Sequence, residues 1–123
     1  MRPLSILIPL AALSACSDPG RSLAGREAFV ALGHAPAWTL TMEGRRLKFV
    51  SGTPDTLVEV PRPRAEPTVS GHRYAGPGIL VEVAAGPCRD SRSGVAFASH
   101  VTVTAGTDIY RGCGGRREPM LDR

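Results

Sequence analysis

"AWTLTMEGRRLKFV", residues 37–50, decides the fold. Its first half alternates: Trp38, Leu40 and Met42 fall on one face, and Thr39, Thr41 and Glu43 on the other. That period of two is what a half-buried strand requires. Leu47 and Phe49 resume the pattern in "RLKFV". An even-numbered loop at Glu43 and Gly44 makes opposite residues sum to a constant odd number, so the apolar residues of both runs share a face. A two-residue loop there pairs Trp38 with Phe49 and Leu40 with Leu47. An odd loop without a bulge would set Trp38 against Lys48 or Val50, which packing should reject. The stretch is therefore expected to be a β-hairpin.

Moving outward, "TLVEV" from Thr56 reads as a strand that stops at Pro61. "PRPRAEP" cannot join a central ladder because each proline lacks a donor, so an exposed, extended loop is expected. A proline-rich ligand is the lesser reading, since modules that recognise such helices are mainly intracellular. "ILVEVAA" from Ile79 points Ile79, Val81 and Val83 inward and Glu82 outward, with Gly86 and Pro87 as its end. "HVTVTAGTDIYRGC" reads as a second hairpin turning near Gly106, with Tyr110 on its return strand. Upstream, "SLAGREAFVAL" is compatible with a helical turn or two. Several short strands at close spacing, without repeats, define an all-β class: a small antiparallel meander forming a barrel or sandwich.

The N-terminus carries one positive residue, Arg2, and then an apolar run from Leu4 to Leu13. The run is too short for a permanent transmembrane helix and suits an export signal. It ends in Leu13, Ser14, Ala15 and Cys16, which resembles the lipobox of bacterial lipoproteins. The resemblance implies cleavage before Cys16, a diacylglycerol on its thiol and an acyl chain on its new amino terminus. Each buried CH₂ of such chains contributes about 0.8 kcal/mol, so several chains anchor where one is marginal. Ser17 stands where an aspartate would favour inner-membrane retention, which implies an outer-membrane protein facing the periplasm. The expected organisation is a signal peptide over 1–15, a flexible tether over 16–26, a β domain over 27–115 and a C-terminal tail over 116–123.

The composition is basic, with 15 Lys and Arg against 11 Asp and Glu, and all but Lys48 of the cations are arginine. Arg45 with Arg46, and Arg116 with Arg117, are candidates to meet an envelope protein or an anionic cell-wall or lipid component. A solvated surface is the simpler reading, because no basic helix or aromatic ladder accompanies the charges. Nucleic acid is not expected as a partner.

With Cys16 assigned to lipid, Cys88 and Cys113 remain, and an oxidising envelope would join them. Their bridge would close a loop of about 26 residues, worth roughly 3 to 4 kcal/mol on the chain-entropy account. In "PCRDSRSG", residues 87–94, Asp90 and Ser93 are residue types that bond backbone amides inside tight turns. The functional alternative is a small polar site in which Asp90, Ser93, Arg89 and Arg92 meet a ligand. No Gly-x-Ser-x-Gly elbow or Cys-x-x-Cys pair occurs. His34, His72 and His100 lie far apart and read as surface or turn residues. No cofactor, metal or catalytic residue is therefore expected.

"LGHAPAW" (Leu32 to Trp38), "CRDSRSG" (Cys88 to Gly94) and "YRGCGG" (Tyr110 to Gly115) together resemble a family of small bacterial envelope lipoproteins. Its segments run Gly-x-Glu-Pro-aromatic-Trp, Cys-x-Asp-x-Met-Ser and Gly-Cys-Gly. Gly33, Pro36, Trp38, Cys88, Asp90, Ser93, Gly112, Cys113 and Gly114 match them. Ala35, Ala37 and Arg92 depart, standing in place of the glutamate, the aromatic and the methionine. The second segment is also distantly similar to the META domain of heat-inducible envelope lipoproteins. Neither resemblance implies an enzymatic activity. The expectation is a lipid-anchored, non-enzymatic binding or structural module, with Asp90, Ser93 and Trp38 as candidate binding residues. The alternative is an inhibitor of a periplasmic or secreted enzyme, such as a lysozyme.

Overall fold

In the computed structural model, residues 27–52 and 55–118 are described. The expected signal peptide, Cys16 and the expected tether lie outside them. Among the described residues nine strands form one antiparallel sheet: β1 Phe29–His34, β2 Ala37–Glu43, β3 Arg46–Gly52, β4 Asp55–Pro61, β5 Glu66–Pro67, β6 Gly71–Gly76, β7 Ile79–Arg89, β8 Ala96–Ala105 and β9 Asp108–Arg117. Their order across the sheet is β4-β3-β2-β1-β9-β8-β7-β6-β5, and the sheet curls into a half-barrel. The curl brings the flanks together, so that a Cβ on Gly76 of β6 would sit 3.5 Å from Val60 Cγ2 of β4.

Alternation fills the concave side. Ala31, Trp38, Leu40, Met42, Leu47, Phe49, Val81, Val101, Val103 and Tyr110 are buried there, and their outward neighbours Lys48, Glu59 and Glu82 stay exposed. At the centre stand three aromatic rings: Phe49 lies 5.0 Å from Tyr110 and 5.9 Å from Trp38 between ring centroids. Such tilted and edge-on pairs add about 0.5–1.5 kcal/mol each beyond the area they bury.

The hairpin of residues 37–50 forms with the expected shared face, but its register differs. Leu40 faces Phe49 and Met42 faces Leu47, while Glu43 pairs with Arg46 across a Gly44–Arg45 turn. Moving the turn by one residue puts Gly44, at φ 59°, in the first central position. A type II′ hairpin turn demands positive φ there, and Gly supplies it without steric cost. The shift also adds Met42 and Leu47 as a buried cross-strand pair, and parity is kept.

Three further expectations change. The stretch compatible with helix is, from Phe29 onward, strand β1, which lies between β2 and β9 and buries Ala31. The proline-rich loop is mostly unpaired, yet Glu66 and Pro67 form a two-residue edge strand against β6, a kind of sheet position that tolerates proline. Gly86 and Pro87 do not end β7, which continues to Arg89. They form a bulge: Ala85 pairs with Ser99 and Cys88 with Phe97, leaving two residues against Ala98. On the other side of β8, Ser99 pairs with Gly114 and Phe97 with Arg117, so Gly115 and Arg116 also oppose Ala98. Each bulge holds a glycine of positive φ, Gly86 at 143° and Gly115 at 89°, and bulges bend strands. β9 thus runs to Arg117, two residues past the expected domain limit.

Around the double bulge the end of β7, the start of β8 and the middle of β9 build a second, smaller core. Cys88, Phe97 and Cys113 are its buried residues, and Leu32 and Val95 pack against them. Cys88 and Cys113 are joined by a disulfide, as expected.

Candidate functional site

The staple pins the end of β7 beside the middle of β9, and this brings the turn after Cys88 to the end of β1. That turn is built around Asp90. Its Oδ2 accepts from the Ser93 amide at 2.8 Å and from the Ser93 hydroxyl at 2.8 Å. The Gly94 amide donates to the Asp90 carbonyl, and the Asp90 amide to the Val95 carbonyl. Arg89 Nη1 donates to the Gly94 carbonyl at 2.7 Å. The expected turn chemistry of Asp90 and Ser93 is present.

Asp90 has a further partner. His34 Nε2 lies 2.7 Å from Asp90 Oδ1, a link across 56 residues of sequence. His34 is therefore not simply a surface or turn residue: it is half-buried and ties β1 to the stapled turn. Asp90 itself is 6 % exposed. The Ser93 amide first, then the Ser93 hydroxyl, hold its carboxyl below the usual carboxylate range; burial opposes them, and the His34 bond adds to them. Ionised Asp90 can only accept, so the shared proton sits on His34 Nε2.

A shallow concavity of about 310 Å³ opens beside this link, lined by His34, Arg89, Asp90, Ser91, His100, Arg111 and the disulfide. His100 Nε2 donates to the Pro87 carbonyl at 2.9 Å, fixing its ring beside the bulge. Trp38 is buried beneath, 3 % exposed, and its indole N–H donates to the Arg111 carbonyl at 3.3 Å. It holds β9 in place and offers little surface of its own. β1 and β9 approach so closely here that a Cβ on Gly112 would fall on the Leu32 carbonyl oxygen. Arg92, by contrast, does not line the concavity.

Serine, histidine and aspartate thus meet, but in the wrong order for a nucleophile. The carboxylate is the middle member, and the Ser93 hydroxyl donates to Asp90 rather than to a base; a triad needs the imidazole between the other two. Among the described residues no group of three or more His, Cys, Asp or Glu gathers at metal-binding distance.

The three sequence segments that carry the family resemblance converge on this one place, His34 from the first, Asp90 and Cys88 from the second, Arg111 and Cys113 from the third. Sequence reading found Asp90 and Cys88 but passed over His34, His100 and Arg111. The signal available for His34 and Arg111 was their position inside those segments; His100 had none. No protein-family model, curated protein or solved structure matches the chain. Its class is set by its own geometry: an all-β half-barrel stapled by one disulfide.

The state of Asp90 has a measurable consequence. A carboxyl whose folded pKa is depressed contributes stability that is present above its ordinary value and is lost as pH falls through the lowered one. Asp90→Asn should therefore be less stable than the wild type at neutral pH, and the gap in urea midpoint should close below about pH 4. A gap that stays constant into acid would show that the carboxylate charge does not hold the turn.

Proposed function

We propose that the chain is a lipid-anchored envelope protein, held through Cys16 at the periplasmic face of the outer membrane. Its stapled β domain acts there as a non-enzymatic binding module. The carrying observation is the order of the bonds at the site. Ser93 is committed to Asp90 and Asp90 to His34, which makes a rigid platform rather than an activated nucleophile. The disulfide supports an oxidising compartment, since such bridges persist outside the cytosol. The lipobox-like Leu13–Cys16 supports the anchor.

Two measurements on cells test the reading. Wild-type protein should fractionate with membranes and Cys16→Ser should not; equal membrane recovery would refute the anchor. A photo-crosslinking residue at Ser91, on the rim of the concavity, should trap an envelope component that the same residue at exposed Val69 does not. Identical adducts from both positions, or none from Ser91, would refute binding at this site.

A further inference from the structure

The concavity beside the disulfide is lopsided in charge. Two guanidiniums, Arg89 and Arg111, line it against one carboxylate, Asp90, with the rings of His34 and His100 beside them. That carboxylate is sealed. Three donors, the Ser93 amide, the Ser93 hydroxyl and His34 Nε2, occupy its oxygens, so it does not compete for the arginines. Arg111 is exposed, and its guanidinium has no hydrogen-bond or ion-pair partner among the described residues. Arg89 gives one N–H to the Gly94 carbonyl and keeps the remainder of a fork that carries five. Both imidazoles have Nε2 engaged by a protein oxygen, which leaves Nδ1 as the remaining polar atom of each ring.

We infer that this concavity binds an oxyanion, the phosphate or carboxylate group of an envelope ligand. Planar guanidinium forks match both groups with paired N–H···O bonds. The alternative, a cation held by the two Nδ1 atoms, is opposed by two arginines in the same lining. Position favours an anion as well. Strand pairing fixes Arg111 two residues from the disulfide on β9, and the turn hydrogen bond fixes the Arg89 side chain against Gly94, so part of the ordering cost is met before a ligand arrives. The inference deepens the binding reading above and rests on it.

The test is a titration of purified full-length protein, disulfide intact, with inorganic phosphate and separately with acetate at constant ionic strength, followed by amide NMR. Saturable movement of the signals of Gly33–Ala35, Arg89–Ser91 and Arg111–Cys113 is expected. Arg111→Gln, a change at an exposed side chain, should weaken it about tenfold or more, while Arg64→Gln, outside the concavity, should leave it unchanged. Tighter binding of phosphate identifies a phosphoryl group as the ligand's anchor, and tighter binding of acetate a carboxylate. Absence of saturable movement with both anions, or undiminished binding by Arg111→Gln, overturns the inference. If neither anion binds while the Ser91 crosslinker still traps an envelope component, the ligand class is wrong and the binding reading stands; if the crosslinker also traps nothing, both fall.

Discussion

Phe49→Ala should destabilise the domain by about 3–5 kcal/mol, the range for emptying a fully buried aromatic position. Phe49 is wholly inaccessible and sits in the middle of β3, opposite Leu40 on one side and Val58 on the other. Its ring also meets Trp38 on neighbouring β2 and Tyr110 on β9, three strands away in the sheet. Collapse into the space left behind would have to move three strands that are hydrogen-bonded to other neighbours, so most of the cavity should persist. The loss is a large fraction of the roughly 5–15 kcal/mol by which a native protein is stable. Urea denaturation should show a lower midpoint at similar slope. Should the alanine variant fail to fold, Phe49→Leu, which retains much of the volume, should give a smaller drop in the same direction. Tyr110→Phe supplies the contrast. The Tyr110 hydroxyl is buried without a hydrogen-bond partner among the described residues, so its removal should cost under about 1 kcal/mol or stabilise. Equal losses at Phe49 and Tyr110 would refute the idea that ring packing is the source of the effect.

The second large effect is expected from the staple. Replacing Cys88 and Cys113 together by alanine should cost about 3–4 kcal/mol, because the bridge closes a 25-residue separation and restricts the unfolded chain. Two further losses are local. Phe97, Leu32 and Val95 surround the sulfurs, and the turn that carries Asp90 to His34 begins two residues after Cys88. The double variant should therefore keep its strand content, since the concave core is built without either cysteine, yet lose protection from hydrogen exchange at Asp90, Ser93 and Gly94. An unchanged urea midpoint in the variant would mean that Phe97 packing and the double bulge hold the end of β7 and its turn unaided.

The parts of this fold that could be read from sequence are those where one face is wet and the other dry. Trp38, Leu40, Leu47 and Phe49 announce their strands and their shared face, because a slip of one residue would turn one strand's pair to the outer face. A slip of two is silent in that pattern, which is why the choice between Leu47 and Phe49 as Leu40's partner fell to Gly44 and its positive φ. Gly86 and Pro87 show the opposite failure: as a pair they look like a strand terminator, whereas in a bulge neither needs to join the ladder, so β7 passes through them. β1 misled for a related reason, being short, with Ala31 and Gly33 within it and alanines on either side. At the site, Asp90 and Ser93 were legible because their bonds are local. The His34 partnership was not, since it spans 56 residues and exists only because the β1–β9 pairing and the staple place two chain segments side by side.

The paired bulges about Ala98 carry an implication for how such a chain can drift over generations. Ala98 is a single residue facing a doublet on its left and a doublet on its right. A lineage that dropped Gly86 alone would set Pro87 singly against Ala98, and one that dropped Gly115 alone would set Arg116 there; either loss keeps Cys88 and Arg117 opposite Phe97 and removes a bend. Length at 86 and at 115 can therefore change one site at a time without shifting the flanking register, and what such an edit takes away is the curl that carries Cys88 of β7 across β8 to Cys113 of β9.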